Sequence, residues 1–345
     1  MTRRQLLACL PSMAALRNAR SAAIPFERID SHVHIHRDAP RFVSLMGEAG
    51  WRALSICVSE ATAPSDASNL EDQLRITAKL SRDSGTRLPW AATFDARDFE
   101  SPGFSERTIA ALRRWFDQGA IGVKVWKNVG LGIKSKSGVW LLPDHPALLP
   151  VYEAIQKSGK TLLVHLAGTS GGWMPIDANN PEYRYYQTHP EWNLYGRPGA
   201  PTKAAIMAAR DRVLARFPKL RVIGCHIGSN EDDLEAAARH FDAYPNLAVD
   251  TAAKVRYLAH GNRDKVREFL LKYQDRVLYA TDFTLGPGDQ ELAWKSLQST
   301  YERDWRFFAG GEPIEYEGRQ VRGLALPEPV LRKIFYQNAV EWLHL

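Results

Sequence analysis

The chain has 345 residues, 45% hydrophobic and 24% charged, which suits one large α/β barrel or two ordinary domains. No stretch approaches the ~20 apolar residues of a membrane span. The net charge is +6, but Arg3, Arg4, Arg17 and Arg20 fall in residues 1–25 without an acid, so the remainder carries 6 − 4 = +2 and offers no basic groove for nucleic acid.

Residues 1–25 read as a leader. Thr2-Arg3-Arg4-Gln5-Leu6-Leu7 has the pattern of a twin-arginine export signal, an apolar stretch follows to Leu16, and Ser21-Ala22-Ala23 offers a small-x-small cleavage site. The expectation is export to the periplasm or beyond, with a cytoplasmic tail as the alternative. That route suits a protein that takes up a metal before crossing the membrane. Residues 26–345 then form a single domain. Cys9 lies in the leader, while Cys57 and Cys225 fall inside predicted strands and read as buried thiols, not a disulfide framework.

From residue 26 onward, short apolar runs alternate with amphipathic ones. The pattern predicts strands over 27–35, 52–59, 88–94, 120–126, 161–166, 221–227, 247–251 and 277–282. Between them it predicts helices over 70–84, 105–118, 146–158, 202–217, 231–244 and 263–273, with Gly85, Gly119 and Gly159 as stop signals. Eight strands each followed by a helix make a (β/α)8 TIM barrel. A doubly wound pair of domains would want a G-x-G-x-x-G turn after an early strand, and none is present. Residues 167–200, rich in Trp, Tyr, Gly and Pro, form a long loop insertion after strand five. In a barrel it sits over the strand C-termini and reads as a lid. Residues 306–323 read as a small hairpin.

Four predicted strands end in residues that ligate metals or titrate. The first ends in Asp30-Ser-His32-Val-His34, where positions i and i+2 share a face ~7 Å apart and can close on one divalent ion. The others are Thr161-Leu-Leu-Val-His165, Arg221-Val-Ile-Gly-Cys-His226 and Arg276-Val-Leu-Tyr-Ala-Thr-Asp282. Each histidine alone is most simply a hydrogen-bonded structural residue, and an aspartate after a strand is commonly a helix cap. In a barrel, however, all strand ends meet at one mouth. Asp250, near the end of strand seven, is a further candidate for orienting the strand-six histidine or the substrate.

These motifs, with Leu278-Tyr-Ala-Thr-Asp282-Phe, Val222-Ile-Gly-Cys-His226-Ile-Gly228 and the closing run Leu331–Leu343, resemble the amidohydrolase superfamily, in particular its amidohydrolase-2 branch. The resemblance implies one divalent ion bound by His32, His34, His165 and Asp282, with His226 close by as an acid/base or polarising group. Zinc is the default for such a His/Asp set, with manganese or iron as alternatives. Asp282 is then both ligand and proton acceptor, and His226 holds an oxyanion or protonates the leaving group. The branch implies a metal-dependent hydrolase acting on an ester, lactone or amide of a small compound. The alternative is a non-oxidative decarboxylase with the same ligands, and a third reading is a binding barrel that has lost catalysis. Lys124, ending strand four, reads as a substrate-facing ammonium; the alternatives are an outer charge or a carboxylated lysine bridging two metals. Trp126, Trp173 and Arg184 complete the substrate set, with Trp140, Trp192, Tyr185, Tyr186, Tyr195, Arg197 and Lys254 in segments expected near the mouth. Aromatic walls with a cation suit a ring compound bearing a carboxylate or hydroxyls.

Overall fold

The computed structural model describes residues 26–63, 65–66 and 68–345; the leader read over residues 1–25 lies outside them. Strand segments β1 (Arg28–His34), β2 (Trp51–Ile56), β3 (Trp90–Thr93), β4 (Ala120–Val125), β5 (Thr161–Val164), β6 (Val222–Gly224), β7 (Leu247–Asp250), β8 (Val277–Leu278) and β9 (Phe283–Thr284) are hydrogen-bonded in the order β8-β7-β6-β5-β4-β3-β2-β1-β9. Every pair is parallel. β8 and β9 are the two ends of the strand expected over 277–282. Between them Ser31 N–H donates to the Tyr279 carbonyl at 3.0 Å and Asp282 N–H to the His32 carbonyl at 2.9 Å, so the eighth strand meets the first and the cylinder closes. This is the TIM barrel expected from the eight-fold alternation.

Two apolar layers hold it. Inside the cylinder, Ile29, Leu54, Ile56, Ala91, Leu163, Ile223, Ala248 and Leu278 pack together, with Ala339, Trp342 and Leu343 of the C-terminal helix closing the floor. Outside, the opposite strand faces meet the helices. Each fully buried aliphatic side chain contributes roughly 1.5–3 kcal/mol. Asp30 ties the closure: its carboxylate accepts from His32 N–H at 3.1 Å, Thr281 N–H at 3.1 Å, Thr281 Oγ at 2.6 Å and the Tyr301 hydroxyl at 3.0 Å. It thereby joins β1, the eighth strand and the helix Gln290–Ala309.

Helix starts follow sequence chemistry. Thr202, Asp233 and Asn262 each accept a first-turn N–H through their side chains. Two of the longer helices, Pro40–Glu48 and Gln290–Ala309, were left unmarked by the sequence pattern. The second runs into the stretch read as a hairpin, which is confined to β10 (Pro313–Tyr316) and β11 (Arg319–Arg322), an antiparallel pair.

The connection from β5 to the helix Lys203–Arg216 is ordered, with short turns at Ser170–Trp173, Tyr183–Thr188 and Pro190–Trp192. Side-chain amides organise it in place of apolar periodicity. Asn180 donates to the Gly171 and Pro175 carbonyls at 2.8 and 2.9 Å, and Asn193 to those of Gly171 and Met174 at 3.2 and 3.0 Å. No helix among the described residues is long and apolar enough to cross a membrane.

Gly122 on β4 is required by close approach: a Cβ there would lie 2.9 Å from both the Thr161 carbonyl oxygen and Leu163 Cδ1. Gly122→Ala is expected to cost ~1–3 kcal/mol in urea unfolding through overpacking of the interior. An unchanged midpoint would show that the interior has slack the packing does not reveal.

Candidate functional site

The barrel mouth gathers the strand-end residues. β1 carries an irregularity between Asp30 and Val33 that spans His32, and His32 and His34 both turn a ring nitrogen toward Asp282. The His32 Nδ1 lies 2.8 Å from Asp250 Oδ2 and the His34 Nδ1 lies 2.7 Å from the Ile56 carbonyl oxygen. A carboxylate and a carbonyl can only accept, so both rings carry their proton on Nδ1 and turn a bare Nε2 lone pair inward. Asp282 Oδ1 stands 3.2 Å from each of those Nε2 atoms. Three acceptors therefore converge with no proton between them, and all three donor atoms lie within 4.8 Å of one another. The Lys124 ammonium, 3.4 Å from His32 Nε2, reaches one of the three, and a divalent cation would satisfy them all. The donor chemistry, two imidazole nitrogens and a carboxylate oxygen, fits zinc or another divalent transition ion.

His165 and His226 form the adjoining wall. Their rings are 4.1 Å apart, with His226 Nε2 3.1 Å from His165 Nδ1. His165 lies outside the tight cluster of His32, His34 and Asp282 but lines the same cavity. The sequence pattern extended strand six through His226, but β6 stops at Gly224 and the chain turns sharply. His226 (φ 60) and Ile227 (φ 54) occupy left-handed backbone, which is costly for such residues and concentrates at functional sites. A Cβ on Gly224 would lie 2.8 Å from Gly228 Cα, so small residues permit the turn. The ring is fixed by Nδ1 at 2.8 Å from the Ala252 carbonyl, and the backbone N–H donates to Asp250 Oδ1 at 2.7 Å. His226 therefore presents an acceptor at Nε2. In this tautomer it can take a proton before it can give one, which is the base half of the acid/base part the resemblance implies.

Electrostatics follow from burial. Burial lowers the His226 imidazole to about 3, against the raising influence of Asp282 and Asp250. His165 is held well below its ordinary value by burial and then by His226, and His32 is lowered by burial and by Lys124. For Asp282, burial alone would raise the carboxyl, but His226, His32 and His34 together hold it well below the carboxylate range. Burial acts the same way on Asp250, and there too the imidazoles win, leaving it at about 2.

Asp250 was a minor candidate in the sequence and is central here. Fully buried, it accepts from His32 Nδ1, His226 N–H and, at 3.1 Å, Ala252 N–H. These bonds also explain why the second donor cluster, His32, Cys225 and Asp250, is a structural knot and not a second ion site.

The mouth opens into a cavity of ≈ 490 Å³ that includes His32, His34, His165, His226, Asp282, Lys124 and Trp126 in its walls. Lys124 is 1% exposed, with Nζ 2.9 Å from Cys225 Sγ and 3.4 Å from His32 Nε2. Its ammonium thus sits in the cavity wall between Cys225 and the site-facing nitrogen of His32. Trp173 and Arg184 are not in the wall: the Trp173 indole N–H is committed to the Pro201 carbonyl at 2.9 Å, and Arg184 is exposed. Of the aromatic residues in the 165–202 connection, Tyr185, Tyr186 and Trp192 line the cavity. Lys127, Glu182, Glu231 and Arg256, which the sequence reading gave no role, line it too, and Lys254 joins them. Glu182, Glu231 and Arg256 are marked only by tertiary contact. Lys127 had a usable signal, lying two residues beyond β4 beside Trp126.

A sequence model of the family described as Amidohydrolase matches residues 29–345. No curated protein matches the chain. Among solved structures, the chain is similar to 2,6-dihydroxybenzoate decarboxylase from Rhizobium, with 17% identity, 92% of this chain and 99% of that chain covered and a TM-score of 0.52. It is also similar to a dihydroxybenzoic acid decarboxylase from Polaromonas with bound manganese, with 17% identity, 93% and 97% coverage and a TM-score of 0.55. A third is 5-carboxyvanillate decarboxylase from Novosphingobium aromaticivorans, complexed with manganese, with 13% identity, 93% and 97% coverage and a TM-score of 0.51. At these identities the likeness is one of fold.

Two outcomes are expected from the geometry. Asp250→Asn removes the charge that orients His32 and should weaken zinc binding by ~10–100-fold, measured by competition with a chromophoric chelator; undiminished affinity would disconnect Asp250 from the ion. The second concerns pH. In the unfolded chain His226 binds a proton below its ordinary 6.5, whereas the folded protein resists until about 3. Stability is therefore lost as pH falls through that interval. Relative to His226→Gln, the metal-free wild type should lose ~1.4 kcal/mol per pH unit between pH 6 and 4.5. Parallel stability curves for the two proteins would mean that His226 protonates freely in the fold.

Proposed function

Because the chain belongs to the amidohydrolase family, whose members are metal-dependent enzymes, we propose that it hydrolyses an ester, lactone or amide of a small compound. The observation that carries this reading is the convergence of two imidazole acceptors on the Asp282 carboxylate. Such a site takes protons from an incoming water. Decarboxylation, which ends by placing a proton on carbon, is the alternative that the same donor set would serve, and the test below separates the two.

The ion would be held by His32, His34 and Asp282, with His165 as the further imidazole of the same wall. Bound there, a divalent cation supplies Lewis acidity that polarises a substrate oxygen and makes water acidic enough to ionise near neutral pH. Zinc suits the nitrogen-rich donor set, and manganese is the alternative.

The chain's own groups supply the rest. Asp250 holds the His32 ring and the His226 backbone, so both imidazoles are positioned before substrate arrives. Asp282, anionic and 29% exposed on its side chain, accepts the proton of the water that attacks the acyl carbon. As the tetrahedral adduct collapses, the departing oxygen or nitrogen takes that same proton back, and the bond to the leaving group breaks without net change in the enzyme. His226 Nε2 offers a second resting place for the proton. Trp126, Tyr185, Tyr186 and Trp192 form walls that suit an aromatic or otherwise flat substrate.

The test is a panel of lactones, esters and aromatic carboxylic acids offered to the zinc- and manganese-loaded enzyme, with acid release and carbon dioxide followed together. Acid without carbon dioxide is expected, and Asp282→Asn should lower the rate by ~10²-fold or more. Carbon dioxide from a carboxylic acid, with every ester and lactone left intact, would replace hydrolysis by decarboxylation.

A further inference from the structure

Four cationic side chains line the cavity, and three are already committed. Lys124 is turned onto Cys225 and His32. Lys254 Nζ lies 3.2 Å from Glu231 and 3.7 Å from Glu182. Arg256 lies 2.6 Å from Glu182. Lys127 differs: among the described residues no carboxylate forms an ion pair with it, and its polar partner is the Tyr185 hydroxyl. Its ammonium sits among three ring faces, 5.0 Å from the centroid of Trp126, 4.9 Å from Tyr185 and 4.6 Å from Trp192.

That cradle steadies a cation without neutralising it. An ammonium has three donors, and a phenol oxygen can take one. Lys127 is 7% exposed, so the remaining donors have little access to bulk solvent. Burial lowers its pKa to about 8, opposed by the more distant Glu60, Asp282 and Glu191, and at neutral pH the group stays charged. Position adds to this. A second cavity of ≈ 580 Å³ shares Glu60, Trp126, Lys127, Leu131, Tyr185 and Trp192 with the one at the metal donors, which places Lys127 on the partition between two chambers.

We propose that Lys127 is the anion receptor of this site, anchoring a carboxylate carried by a flat, ring-containing substrate while the aromatic cradle packs on the ring. The assignment rests on the cavity being the substrate chamber, as proposed above. It gives substrate specificity to a residue outside the donor cluster. A carboxylate supplies two acceptors for the donors Tyr185 leaves over, and the pair would form in a largely dry setting where charge-assisted bonds are strongest.

Benzoate and its neutral counterpart benzamide separate this role from packing. Calorimetric titration of the chelator-treated protein should show benzoate binding at least ~10-fold more tightly than benzamide. Lys127→Met should remove that preference while leaving benzamide affinity within about twofold, and Lys127→Arg, which keeps the charge, should restore most of it. Equal affinity for the two compounds in the wild type would overturn the proposal, and that comparison needs no variant to fold. So would benzoate binding that survives Lys127→Met unchanged, or that depends entirely on added zinc. Because the titration reads binding without turnover, the hydrolysis reading can fail while Lys127 remains the anion receptor, and the reverse.

Discussion

The site depends on one buried carboxylate. Asp250 has no contact with solvent, and its cost of desolvation is met by three N–H donors: the His32 ring, the His226 backbone and the Ala252 backbone. The first fixes a tautomer and so decides that His32 turns a lone pair to Asp282. The second holds His226 in a left-handed conformation that its own side chain disfavours. A carboxylate buried this way is stable only while all its partners stay in place. The geometry of β6, β7 and β1 is therefore locked to the chemistry of the mouth.

Barrel closure serves the same end. Asp282 lies between the two halves of the eighth strand, at φ 67, where the chain leaves β7 and crosses to β1. Its backbone N–H is fixed to the His32 carbonyl, and Asp30 clamps the neighbouring Thr281. The break in the strand lets the carboxylate face two imidazoles at equal distance. A regular strand through residue 282 would send that side chain along an alternating direction set by the pleat.

Much of this was legible beforehand. The alternation of apolar runs with amphipathic ones fixed the strand order, because parallel crossovers of one hand leave little topological freedom. The i, i+2 spacing suggested that His32 and His34 share a face, and both rings reach Asp282 even though the irregularity in β1 spans His32. Less could be read where contacts come from afar. The helix Gln290–Ala309 was missed, and His226 was read into a strand that ends before it. The 165–202 connection owes its order to Asn180 and Asn193 bonding to backbone carbonyls, which leaves no apolar period to detect.

The lysines show the division most clearly. Both Lys124 and Lys127 end the same apolar run, and sequence alone favoured the first as the substrate-facing ammonium. Strand alternation turns Lys124 into the interior, where Cys225 and His32 receive it, while Lys127 lies past the strand among rings from a connection about sixty residues on. Periodicity and residue type thus determined the barrel and the strand-end residues at its mouth, because both are properties of local chain geometry. Which nitrogen faces inward, which carboxylate orients it and which cation is left uncommitted were decided by the tertiary structure, because each follows from partners that chain separation hides.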